Sequence, residues 1–195
     1  GVMNYTRADL LGVVLDQHVR QLLDAGHQPV ALVRDSSDTS VLADGCETRD
    51  GDLTDLADDV CKGMDAVIFA AGSGGSTSAE MTDKVDRDGA ISLIDSAKAA
   101  DVKRFVMLSS RGAEKPDPDS KLYHYLQAKH AADEHLKASG LTYSIVRPVT
   151  LTKEDGNENA WIDIDGRQHP AFDAGRGVSD VRAVCRSLCI LPAGW

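Results

Sequence analysis

Apolar residues along the chain gather into short runs: Gln28 to Val33 (Gln-Pro-Val-Ala-Leu-Val), Asp65 to Ala71, Arg104 to Ser110 and Tyr143 to Arg147. Each reads as a buried strand, because an uninterrupted apolar run of that length lets a strand be covered on both faces. Between them, Thr54 to Met64, Glu80 to Ala100 and Leu122 to Ser139 carry helical patterns. Strands alternating with helices of this length call for parallel crossovers, so the fold class is α/β with a doubly wound parallel sheet. Trp161 to Asp165 alternates apolar and acidic residues and ends in Asp165-Gly166, the signal of a hairpin or edge strand. Ser179 caps a last helix to about Ile190. Lys153 to Gly177, rich in Asp, Asn and Gly, is the most loop-like part and the best candidate to cover a site.

The first 25 residues break the alternation. Thr6 can cap a helix, and Leu11, Val14, Leu15, His18, Val19 and Leu22 recur at helical spacing up to the stop at Gly26. The other reading is a strand from Leu10 to Leu15 that runs into a helix with almost no turn. On the first reading the opening strand of the sheet is lost or replaced by helix. Gly12 is the only glycine between Gly1 and Gly26, so both readings lack G-x-G-x-x-G.

With 195 residues the chain has the length of one domain with a proper core. Thirty-one Asp and Glu against 21 Lys and Arg give a net charge of -10, and no basic run is present, which argues against a nucleic-acid partner. No run reaches the roughly 18 apolar residues of a membrane span, and the N-terminus lacks a charged-then-apolar signal pattern. The expectation is a soluble cytoplasmic protein with no membrane partner. Cys46, Cys61, Cys185 and Cys189 are scattered, which predicts reduced thiols. Cys185 and Cys189 share a helical face but have no Cys or His close in sequence, and His18, His27, His130, His135 and His169 form no spaced set, so no metal is expected.

Tyr125 and Lys129 stand four residues apart in a predicted helix that follows a strand ending in Leu108-Ser109-Ser110. One helical turn puts phenol and ammonium on the same face, where the ammonium can stabilise a phenolate. Such a pair is an acid/base usable near neutral pH, the chemistry of a reductase or an epimerase. The loop Gly72-Ser73-Gly74-Gly75-Ser76-Thr77-Ser78 carries several backbone donors and could hold an anion, but it lacks the lysine of a P-loop.

Taken in order, Leu32-Val33-Arg34-Asp35, Gly51-Asp52-Leu53, Phe69-Ala70-Ala71-Gly72, Val85-Asp86-Arg87-Asp88-Gly89, Leu108-Ser109-Ser110, Tyr125-x-x-x-Lys129 and Val146-Arg147-Pro148 form a pattern. From about His18 to Pro148 the chain resembles the atypical short-chain dehydrogenase/reductases. Within them it is similar to the small NAD(P)H-binding proteins related to the NAD-dependent epimerase/dehydratase group. The resemblance implies one NAD(P)-binding Rossmann-like domain over 1–195, with 149–195 as a short substrate-side region. It implies NAD(P)-dependent oxidation, reduction or epimerisation of a small carbonyl or alcohol substrate.

In that reading Arg34, at the end of the second strand, favours a 2'-phosphate and hence NADP, with NAD left open by Asp35. Asp52 would accept from the adenine amino group, with Leu53 beside it. Ala70, Ala71 and Gly72 let a flat cofactor approach the backbone. Ser109 or Ser110 would hold the substrate oxygen, Lys129 would bind the nicotinamide ribose and lower the Tyr125 pKa, and Tyr125 would pass the proton. The pyrophosphate would fall near Leu10 to Asp16, where side chains and the Asp16 charge oppose it. A relative that lost this loop and serves as a non-catalytic nucleotide sensor or protein-interaction module is the alternative of a different class.

Overall fold

β1 (Val30–Val33) and β3 (Ala66–Phe69) are buried at every position, as the unbroken apolar runs predict. The computed structural model describes residues 19–20, 22–24, 26–73 and 77–147, with the backbone of 161–164, 167–170 and 190–192. β3 pairs in parallel with β4 (Arg104–Leu108), and β4 with β5 (Tyr143–Val146), in the order β3-β4-β5. β1 pairs in parallel with β2 (Glu47–Asp50) on one side. On its other side it pairs with β8 (Ile190–Pro192), which also lies beside β3.

Adjacent residues of β3 enter different cores, as strand geometry requires. Val67 and Phe69 join Leu93, Ile94, Phe105, Met107, Ala132 and Leu136 on one face. Ala66 and Ile68 join Val106 and the helical residues Val19 and Leu22 on the other. Each fully buried aliphatic or aromatic side chain here contributes about 1.5–3 kcal/mol. The sheet is therefore clamped from both sides, which leaves the ends of the strands as the open ground. No helix among the described residues is long and apolar enough to cross a membrane.

The crossover from β3 to β4 is a helical run in three parts: α1 (Ala79–Thr82), a π-helical stretch (Asp83–Gly89) and α2 (Ala90–Ala99). Ser78 starts it by accepting from the Met81 N–H at 3.2 Å. The wide turns of the π-helical stretch bury Val85, Asp86 and Gly89. α3 (Tyr123–Ala138) connects β4 to β5, and Gly140 at φ +83° ends it.

Two expected helices need correction. Thr54 to Met64 is a chain of turns: Val60 N–H donates to Ala57 O, Lys62 N–H to Asp59 O and Met64 N–H to Cys61 O. Asp52 captures the Thr54 N–H and hydroxyl, which would otherwise open a helix, and Gly63 turns at φ +77°. The apolar spacing survives, since Leu53, Val60 and Cys61 are buried, but turns deliver it. At the other end, Ile190 opens strand β8 rather than ending a helix. The remainder of that expected helix from Ser179, with Cys185 and Cys189, and residues 1–18, with Gly12 and Asp16, lie outside the described residues; residues 19–20 and 22–24 are helical, in line with the helical spacing that runs up to Gly26. β6 (Trp161–Ile164) and β7 (Arg167–Pro170) form the antiparallel hairpin expected around Asp165-Gly166, inside the segment read as most loop-like.

Candidate active site

Parallel strands present their carboxyl ends together, and ligands of open α/β sheets bind outside those ends. β3 runs out into Ala70, Ala71, Gly72 and Ser73, β4 into Ser109 and Ser110, and β5 into Arg147. α3 carries Tyr125, Lys129 and Asp133 at successive fourth positions, so one face of one helix brings all three to this edge.

Lys129 is only 2% exposed, unusual for an ammonium, and its surroundings explain how it is tolerated. Its Nζ donates to the Ala71 carbonyl at 3.2 Å and lies 2.9 Å from Oδ1 of Asp86, a charge pair without hydrogen-bond alignment. It also stands 5.4 Å from the Phe69 ring centroid and 5.8 Å from that of Tyr125. Burial opposes its charge, but the electrostatic pull of Asp86, then of Tyr125 and of Asp133, outweighs it and holds the ammonium above its ordinary pKa. Asp86 is itself fixed from the loop after β3: its Oδ2 accepts from the Ser73 N–H at 3.0 Å and from the Ser73 hydroxyl at 2.6 Å. Gly72 leaves room for this, since a Cβ there would come within 3.2 Å of Asp86 Oδ1.

A second buried charge pair lies one turn further along α3. Asp133 Oδ2 accepts from the Ser109 hydroxyl at 2.9 Å and from Arg147 Nε at 3.1 Å, with Arg147 Nη2 at 3.0 Å. Its Oδ1 is buried without a hydrogen-bond partner. Burial raises the Asp133 pKa, against the lowering effects of Arg147, Ser109 and Lys129. Asp86, Asp133, Lys129 and Arg147 thus form a buried set of two anions and two cations, neutral as a whole. Ser109 is turned inward to Asp133, whereas Ser110, the next residue, is half-buried. At the rim, His124 Nε2 lies 3.0 Å from Asp83 Oδ1 and 3.3 Å from the Ala79 carbonyl, tying the first turn of α3 to the β3–β4 crossover.

Of the residues expected at the adenosine end, Arg34 and Asp52 come together while Leu53 turns into the core. Arg34 follows β1, half-buried, its N–H donating to Ser37 Oγ at 3.0 Å. Asp52 follows β2, and its Oδ1 accepts from the Thr54 N–H at 2.8 Å and hydroxyl at 2.6 Å. The Thr54 hydroxyl, then its N–H and the Arg34 charge, lower the Asp52 carboxyl pKa, so Arg34 and Asp52 share one neighbourhood. Leu53 is 2% exposed, its side chain in the main core. Ala70 and Ala71 are buried too, and Ala71 reaches the edge through its carbonyl. Sequence reasoning passed over Asp86, Asp133 and Arg147 as site residues. One signal was present: Asp133 continues the four-residue ladder of Tyr125 and Lys129.

The family model for NAD(P)H-binding proteins matches residues 16–183. The chain is 42% identical over 135 residues to a Bacillus subtilis protein described as an uncharacterized sugar epimerase, YhfK, covering 67% of this chain and 63% of that one. It is 33% identical over 143 residues to the Saccharomyces cerevisiae protein YMR090W, covering 68% and 62%. The chain therefore spans little more than six tenths of the length of either relative. Among solved structures, a Bacillus halodurans protein described as an NAD-dependent epimerase/dehydratase superposes with a TM-score of 0.66 at 36% identity, covering 82% of this chain and 72% of that one. The parallel sheet with its helices is thus Rossmann-like, and the chain belongs to the NAD(P)H-binding family, among proteins related to the NAD-dependent epimerases.

Proposed function

We propose that the protein is an NAD(P)-dependent oxidoreductase or epimerase-like enzyme of the short-chain dehydrogenase/reductase type, acting at a carbonyl or alcohol carbon of a small substrate. The observation that carries the reading is the buried Lys129 ammonium, held by Ala71 and Asp86 at the end of β3, 5.8 Å from the ring centroid of the half-buried Tyr125. The donor set suits the cofactor: a cation with N–H donors fits a ribose diol, and Gly72 keeps the backbone approachable. When bound, the nicotinamide gives or takes the hydride.

The remaining chemistry belongs to the chain. Tyr125 passes a proton to or from the substrate oxygen, and Lys129 favours the phenolate that this leaves. Ser110 is the serine for the substrate oxygen, because the Ser109 hydroxyl is committed to Asp133. Arg34, past β1 and beside Asp52, leans the adenosine end towards the 2'-phosphate of NADP, with the Asp52 carboxylate and the Leu53 backbone near the adenine. One domain over 1–195, with 149–195 on the substrate side, and a cytoplasmic location belong to the same reading; the free thiols of Cys46 and Cys61 support the latter.

The test is a titration with NADPH and NADH by nucleotide fluorescence and calorimetry, followed by a panel of carbonyl and alcohol substrates for the wild type and Tyr125→Phe. Tighter binding of NADPH than NADH is expected, with Tyr125→Phe keeping its nucleotide affinity and losing turnover by about 100-fold or more. No binding of either nucleotide would remove the enzyme reading. Binding without turnover on any substrate would make the protein a sensor.

A further inference from the structure

Lysines in dry surroundings lose their proton readily, because desolvation penalises the ammonium, and a buried lysine without a partner can titrate several units below its ordinary value. Lys129 is in such surroundings, 2% exposed, with Asp86 at 0% exposure against it. Among the described residues, the charged and titratable groups facing it are few. Asp86 comes from the π-helical stretch, and Tyr125 and Asp133 come from its own helix, with Arg147 behind Asp133 from the end of β5. β3 contributes the uncharged Phe69 ring, and the segment that follows it the Ala71 carbonyl. Asp133 is already engaged, its Oδ2 holding Arg147 and Ser109. Asp86 is therefore the one carboxylate of this set in direct contact with the ammonium.

Asp86 is also built in rather than free to swing. Its second oxygen is held by two donors of Ser73, the backbone N–H at 3.0 Å and the hydroxyl at 2.6 Å, and that hydroxyl lies 3.1 Å from the Thr82 hydroxyl. The stretch that carries Asp86 is locked in turn by Gly89, where an added Cβ would meet Leu53 Cβ and Leu53 O at 2.9 Å.

From this geometry we infer that Asp86 is a positioning residue that keeps the Lys129 ammonium both charged and aimed at the strand edge, and that Ser73 holds Asp86 to that task. The inference rests on the reading of Tyr125 and Lys129 as an acid/base pair and deepens it. With Asp86 in place the charge beside Tyr125 is permanent across working pH. Without it the charge would come and go, and with it any grip on a ribose hydroxyl.

The experiment follows the ε-carbon of Lys129 directly, by NMR titration of the full chain carrying lysine labelled with carbon-13 at that position, the resonance being assigned with Lys129→Arg. In the wild type the Lys129 signal is expected to show no deprotonation below pH about 10. In Asp86→Asn it should titrate about two pH units or more lower, while the other lysines stay where they were. Asp86→Glu, which restores the charge, should bring the signal back towards the wild-type value. An unchanged Lys129 titration in folded Asp86→Asn would overturn the inference. So would a wild-type Lys129 that deprotonates below pH about 9, a result that needs no variant and stands even if Asp86→Asn does not fold. No nucleotide enters these titrations, so their outcome is separable from failure of the cofactor reading. If the nucleotide does bind, its affinity should be flat with pH in the wild type and fall in Asp86→Asn as pH rises through the new Lys129 midpoint.

Discussion

At Asp133 one carboxylate oxygen serves Ser109 and Arg147 while the other, also buried, has no hydrogen-bond partner. Removing Arg147 would leave a buried anion without its main counter-ion, the situation in which loss of one partner costs about 3–5 kcal/mol. Arg147→Met is therefore expected to be destabilised by that order at neutral pH, read from urea unfolding. The pH dependence follows from the raised Asp133 pKa. A carboxyl whose folded pKa lies above its unfolded value favours folding when protonated, so its contribution is complete below the ordinary carboxylate range and is lost as pH rises through the folded value. Loss of Arg147 pushes that folded value higher still. The deficit of Arg147→Met should shrink as pH falls from 7 towards 4; an equal deficit at both ends would mean that Asp133 is not the group responsible. Lys129 obeys the same rule at the alkaline end: its stabilisation is present below the ordinary lysine range and fades as pH climbs past its raised folded value. Of this network, Tyr125, Lys129 and the serine pair were legible in the sequence because their relation is local. Asp86 was legible only as part of a motif, because its partner Lys129 comes from a distant helix; Asp133 continues the ladder of Tyr125 and Lys129, but its part shows only when Ser109 and Arg147 are laid against it.

Among the elements, the β3–β4 crossover shows best how a local rule yields to packing. Alanine in place of a helix-interior glycine ordinarily stabilises by about 1 kcal/mol. At Gly89 the new Cβ would lie 2.9 Å from both the Cβ and the carbonyl oxygen of Leu53, one of which is backbone and cannot move aside cheaply. Overpacking of this kind costs about 1–3 kcal/mol, so Gly89→Ala should lower stability despite its better propensity. A rise in the unfolding midpoint would show that the crossover and the turn after β2 have slack between them. The strands at 30–33 and 66–69 could be read from the chain because burial on both faces writes an unbroken apolar run, and those at 104–108 and 143–146, less fully buried, carry shorter apolar runs of the same kind. The turns at 54–64 could not. Their apolar spacing has a helical period, and the capture of the Thr54 N–H by Asp52 becomes visible only when the chain is folded.

For the whole molecule, the doubly clamped sheet makes folding and ligand binding one equilibrium. A nucleotide that binds only the folded chain adds stability by mass action, about 2.7 kcal/mol at a hundredfold excess over its dissociation constant. Melting with NADPH at that excess should raise Tm by several degrees, with a smaller rise for the same concentration of NADH; equal shifts would remove the argument for a 2'-phosphate contact at Arg34. The sealed state of Lys129 also reaches beyond the site. A protonated amine that is 2% exposed is a poor nucleophile twice over, shielded from reagent and lacking a lone pair. In a mild amine-labelling reaction the solvent-facing lysines should be consumed within minutes and Lys129 only when the strand edge opens. Its slow labelling would then count, one opening at a time, how often the folded body comes apart around its own charge.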